Sequence, residues 1–147
     1  MKYEKTRRTG ATMIEGAFCL VIVFFLVVGM LEFGIASLRR NLLRDGAARV
    51  ARAAMLRGQN SELSEWGANH LEFNAASDDP IAEAIRPSLT TMAPEDVRIV
   101  IDWPDGDNLT EQRIHVVVQY DHQFLFGNVW LMDQLSLIAE TQMRIEK

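Results

Sequence analysis

The run from Gly16 to Leu38 constrains this chain more than any other feature: it holds one charged residue, Glu32, and is otherwise almost wholly apolar. About 20 apolar residues suffice to cross a bilayer as a helix, and no other stretch of the sequence could do so. Lys2, Lys5, Arg7 and Arg8 precede the run, and Arg39 and Arg40 close it. Glu15 stands at its mouth. A carboxylate at the start of a hydrophobic segment is costly, so it ordinarily has a partner or a function. The helix is expected to continue past the membrane. From Leu38 to Leu56 there is no proline, and alanine, leucine and arginine, all good helix formers, dominate. Leu43, Ala47, Val50, Ala51 and Ala54 fall on one stripe at helical spacing, whereas Arg40, Arg44, Arg49, Arg52 and Arg57 lie off it and read as a solvated face. Gly46 is the weak point, and Gly58 is a natural stop. A helix from Thr12 to Arg57 would be about 69 Å long.

Three readings of the N-terminal segment compete. In the first, residues 1–8 and 17–31 are the basic and apolar regions of a secretory signal, with Gly34-Ile35-Ala36 as a small-residue cleavage site. In the second, the segment is an uncleaved anchor. In the third, Gly10-Ala11-Thr12-Met13-Ile14-Glu15 resembles a type IV prepilin site, in which a membrane aspartyl peptidase cuts after the glycine. Cutting there would create a new α-amino group at Ala11, with Glu15 as the fifth residue of the product. A carboxylate from a neighbouring subunit can pair with that amine. Two unit charges about 4 Å apart gain roughly 4 kcal/mol at an effective dielectric near 20, enough to set the register of helices sliding together in lipid. The glycine and the acid are weak evidence alone; the basic leader and the apolar run give them context.

The resemblance narrows further. Glu15-Gly16-Ala17-Phe18, then Leu31-Glu32-Phe33-Gly34, then the alanine- and arginine-rich stretch Asn41 to Ala54 are similar to the TadE-like family, minor pilin-like proteins (pseudopilins) of the tight-adherence, or Flp, pilus system. The similarity covers residues 10–54. Major Flp pilins carry Glu-Tyr after the cleavage site, where this chain has Glu15-Gly16, and they lack a sizeable C-terminal domain. The resemblance therefore implies a minor pseudopilin for biogenesis of an adhesive Tad-type type IV pilus, with processing at Gly10 and Ala11 and assembly through Glu15. It implies as partners the prepilin peptidase, a second minor pseudopilin, the major Flp-type pilin, the inner-membrane assembly platform and the lipid bilayer. Flanking charges are too even to orient the helix. The resemblance orients it, as a single pass in the bacterial inner membrane with the N-terminus cytoplasmic and the C-terminal domain periplasmic, then incorporated with other pilins through its helix.

The chain of 147 residues allows at most one domain besides the membrane helix. Its organisation reads as a leader over 1–10, a helix over 11–58 with the spanning part near 16–38, and an extracytoplasmic α+β domain over 59–147. The formal charge is −5. Taking away the leader's +3 (four Lys/Arg against Glu4) leaves −8 from Ala11 onward, which argues against binding nucleic acid. Cys19 is the sole cysteine, so no intrachain disulfide can form.

Beyond Gly58, residues 59–77 read as polar with a weak helical face at Leu63, Trp66, His70 and Leu71, with Ser61 placed to cap it. Asp79-Pro80-Ile81 reads as a capped helix start, with Ile81, Ala84 and Ile85 inward and Pro87 as the stop. The period then changes to two. Strands are expected over 97–103, 113–121 and 135–146, with Val97, Ile99, Ile101, Ile114, Val116, Val118 and Leu137 buried. Pro104-Asp105-Gly106-Asp107-Asn108 forms the turn between the first two. The expected fold is α+β: a long N-terminal transmembrane helix packed on a small antiparallel sheet. Phe124 to Met132 is too apolar for a plain loop. It either folds under the sheet or beside the helix, or serves as a docking surface.

No catalytic constellation emerges. His70, His115 and His122 lack metal-ligand spacing, and there is no nucleophile elbow or phosphate loop. Asp102, Asp105 and Asp107 lack the spacing of a calcium loop and read as a solvated turn. The expectation is a structural protein with no catalytic residue, metal or cofactor. A membrane-anchored periplasmic binding module, and a domain released by signal peptidase at Ala36, are its rivals.

Overall fold

A computed structural model describes residues 8–57, 70–109, 111–127 and 133–145, which fall into two compact units meeting at Ile35 and Ala36. The basic residues Lys2, Lys5 and Arg7, the stretch holding Gly58, Ser61, Leu63 and Trp66, and residues 128–132 of the apolar loop lie outside the described residues.

Helix α1 runs over Arg8–Met55, 48 residues. It begins four residues before the expected Thr12, so the Gly10–Ala11 peptide lies within it and Gly10 is no part of a non-helical tail. Nothing in Arg8–Gly10 breaks a helix except one glycine, which costs only about 1 kcal/mol against alanine. In the first unit α1 is apolar all round. Met13, Ile14, Phe18, Met30, Leu31 and Phe33 are each at least 63% exposed, a surface that belongs in lipid. Among the described residues α1 is the one helix long and apolar enough to cross a bilayer.

In the second unit α1 becomes amphipathic. Leu43, Ala47, Val50, Ala51 and Ala54 are buried as the 3.6-residue stripe requires, while Arg40, Arg44, Arg49 and Arg52 are exposed. The stripe joins a single core with four strands: β1 (Leu71–Asn74), β2 (Val97–Asp102), β3 (Arg113–Gln123) and β4 (Gln134–Arg144). They form an antiparallel meander in the order β1-β2-β3-β4. Ile99 faces Val118 and Val118 faces Ala139, so the apolar sets of successive strands share one face. All seven residues expected to be buried are so, and the fold is α+β with a long apolar helix and an antiparallel sheet.

The sheet has four strands where three were expected. Leu71, read as part of a helical face, opens β1, with Leu71 and Phe73 turned toward the core and Glu72 and Asn74 toward solvent. Pairing with β2, where Phe73 stands opposite Ile99, decides the conformation of four residues too few to show a period. Helix α2 (Pro80–Ile85) starts as expected: Asp79 Oδ1 accepts the Ile81 N–H at 2.9 Å and Pro80 occupies the first turn. Ile81 and Ile85 are buried, but Ala82 is the third buried residue, with Ala84 only partly covered. The α-helix ends at Ile85, just ahead of Pro87 as expected, and a 3₁₀ turn over Arg86–Ser88 follows.

The turn between β2 and β3 is tied down by an ion pair. Asp105 takes the Arg113 backbone N–H at 2.9 Å and its guanidinium at 2.6 Å. Arg113, first by its side-chain hydrogen bonds and then by its N–H, holds the Asp105 carboxyl down to about 2, from an ordinary value of 3.8. A depressed carboxyl pKa contributes stability above the unfolded value and loses it as pH falls through the folded one. The turn is therefore expected to be held fully above about pH 4 and released between there and pH 2. Asp105→Asn should show faster amide exchange at Arg113 than the parent at pH 6, with the difference closing as both approach pH 2. A difference that persists unchanged at pH 2 would refute the ionic origin.

Candidate functional site

The residues singled out for processing and assembly lie on the first turns of α1. At Gly10 a Cβ would meet nothing within 4 Å, so the fold tolerates a larger residue there. A need for glycine would have to come from something that acts on the chain. Glu15 is exposed. Ile14, Glu15, Phe18 and Cys19 line one shallow apolar depression on the helix surface. A carboxylate in a ring of apolar side chains gains little locally and is available to a cation from outside the chain. Glu15 follows Ala11 by four residues, which places both positions on one helix face.

A second polar feature lies where the apolar run ends, and sequence alone did not single it out. Arg39 Nη1 lies 2.6 Å from Nδ1 of His122, and its guanidinium carbon is 5.3 Å from the centre of the Tyr120 ring, a cation–π distance. An arginine only donates, so His122 Nδ1 accepts and the ring proton is on Nε2. The Phe124 ring meets His122 edge to face at 5.1 Å. His122 is 2% exposed. The alternation of Ile114, Val116, Val118 and Tyr120 continues to His122, because β3 runs to Gln123 and not Asp121; that continued period was the available signal. Glu32, the lone charge in the apolar run, is also buried.

At the other end of the helix, Asn108 Nδ2 donates to the Arg57 carbonyl at 3.2 Å while its Oδ1 accepts from Trp103 Nε1 at 3.2 Å. Arg39–His122 thus ties α1 to the end of β3, while Asn108, in the turn before β3, holds the chain just past α1 at Arg57.

The remaining histidines face carboxylates. His70 Nδ1 lies 2.5 Å from Asp102 Oδ1, with Glu72 at 3.8 Å. Its hydrogen bond to Asp102, then the charges of Asp102 and Glu72, raise its pKa above the ordinary 6.5. His115 Nε2 is 3.7 Å from Glu140. Among the described residues no group of three or more His, Cys, Asp or Glu could hold a metal ion.

Residues 10–52 match the family model of the TadE-like proteins. This is the family to which Glu15-Gly16, Glu32-Phe33-Gly34 and the Ala/Arg-rich stretch pointed. The matched segment takes in Gly10, Glu15, Glu32 and Arg39 and ends at Arg52, so it is α1 almost entire. The sheet and its loops lie outside it. No curated protein and no solved structure matches this chain.

Proposed function

We propose that this chain is a minor pseudopilin, a non-enzymatic structural subunit for biogenesis of an adhesive Tad/Flp-type pilus. The observation that carries the proposal is the placement of Gly10 and Glu15 at the start of a lipid-suited helix within the segment that matches the TadE-like model. On this reading the prepilin peptidase cuts between Gly10 and Ala11, and the leader stays in the cytoplasm. The helix sits in the bacterial inner membrane and the sheet unit lies in the periplasm. Glu15 then meets the α-amine of another pilin subunit, a second minor pseudopilin or the major pilin, and the assembly platform moves the packed helices outward into the pilus. An apolar helix surface supports such packing, because in lipid a polar pair fixes which helices associate and at what height.

Processing is tested at Gly10. Since the fold leaves space at this position, Gly10→Phe is expected to insert and fold as the parent does. In cells holding the peptidase it should accumulate as a precursor that retains the leader. Normal maturation of Gly10→Phe would refute the cleavage site.

A further inference from the structure

The turn after β3 is exposed and apolar, and the Arg39–His122 contact fixes the level at which it sits. Leu38, half exposed, is the last residue of the apolar run and Arg39 is the first cation after it. A basic residue that closes a spanning segment belongs at the headgroup layer. His122, 2.6 Å from Arg39, is therefore at that layer too. Because Asn108, before β3, is tied to Arg57 while His122, near its end, is tied to Arg39, β3 runs back toward the Arg39 level. Leu125 and Phe126 follow in the turn after β3. Leu125 is 80% exposed and Phe126 38%. A soluble surface has no use for a leucine and a phenylalanine side by side at a loop turn; a bilayer interface does.

We propose that the turn Phe124–Gly127 is a second membrane contact, which inserts Leu125 and Phe126 into the interfacial layer of the bilayer beside α1. Arg39 and Tyr120 position it: the cation–π and hydrogen-bond contacts lock the membrane-proximal end of the sheet to the helix, and the turn carries the apolar side chains down into lipid. The inference rests on insertion of α1 and not on cleavage at Gly10, so it survives if processing fails.

The test uses the full chain with Cys19→Ser, carrying an environment-sensitive fluorophore at Leu125→Cys or, as the distal control, at Asp107→Cys in the exposed β2–β3 turn. Each is placed in phosphatidylethanolamine/phosphatidylglycerol nanodiscs, open to solvent on both faces and free of other proteins. The label at 125 is expected to show blue-shifted emission, quenching by spin-labelled lipid and loss of quenching by aqueous iodide, with the reverse pattern at 107. Both substitutions are at exposed positions, and unchanged amide protection of β3 and β4 checks the fold. Equal iodide quenching at 125 and 107 in folded protein would overturn the proposal. So would a label at 125 that is water-exposed in nanodiscs and shielded only in native membranes holding the pilus machinery, since the turn would then dock on protein.

Discussion

Replacing Gly46 with leucine is expected to destabilise the C-terminal unit by about 1–3 kcal/mol, the range for overpacking a filled core. At Gly46 a Cβ would stand 2.6 Å from Ile85 Cγ1, 3.0 Å from its Cδ1 and 3.6 Å from Ser88 Cβ. Ile85 is fully buried, and its β-branched side chain has little freedom to turn away. The helix next to Gly46 is held in place: Asp45 Oδ2 accepts from Ser88 Oγ and from Arg49 Nε, each at 2.8 Å. The glycine is thus a point of close approach between α1 and Ile85 of α2, and its helix-propensity cost of about 1 kcal/mol is offset by that packing. Gly46→Ala should do less harm than Gly46→Leu, because restored propensity opposes the clash. Pairing Gly46→Ala with Ile85→Ala should recover part of the loss through coupling of the two sites. Denaturant midpoints in detergent measure all of these. A Gly46→Leu chain as stable as the parent would remove Gly46 as the packing hinge of the unit.

This glycine also shows what the sequence could convey and what it could not. It read only as a weak point in a helix, because the residue that requires it, Ile85, is far along the chain. Arg39 and His122 are likewise 83 positions apart, and no local pattern joins them. The features that were legible are periodic. Val97, Ile99 and Ile101, and Ile114, Val116 and Val118, alternate long enough to assign a buried face, and a slip of one residue would turn the whole set outward. The stripe from Leu43 to Ala54 did the same for α1. Strand β1 was missed because four residues offer only two alternations, and its first residue Leu71, with His70 before it, also fits a helical spacing. In the N-terminal segment, Gly10 and Glu15 stand out in the sequence only by their place beside an apolar run.

Glu15→Ala is expected to abolish, or nearly abolish, association with pilin partners while leaving insertion, cleavage after Gly10 and the sheet unit intact. The carboxylate is exposed on an apolar helix surface. A charge in that setting costs free energy unless a cation meets it. On the proposed processing, the α-amine created at Ala11 of a neighbouring subunit would supply one, worth roughly 4 kcal/mol at about 4 Å and an effective dielectric near 20. Glu15→Asp keeps the charge and shortens the reach, so it should associate at an intermediate level. Glu15→Gln keeps the shape and loses the charge, so it should behave like Glu15→Ala. If Glu15 merely marked the edge of the span, Glu15→Gln would be harmless. Site-specific crosslinking in membranes, with the other pilus components present, separates these outcomes. Undiminished crosslinking of both Glu15→Ala and Glu15→Gln would rule out the ion pair.

Removal of the leader, from which the proposed prepilin-type subunit would emerge, is read out by the intact mass of the native protein taken from its own membranes. The expected mass lacks Met1–Gly10, with Ala11 as the new N-terminus. The full-length mass would contradict it in favour of an uncleaved anchored domain, and a mass beginning at Ser37 would contradict it in favour of a domain released by signal peptidase.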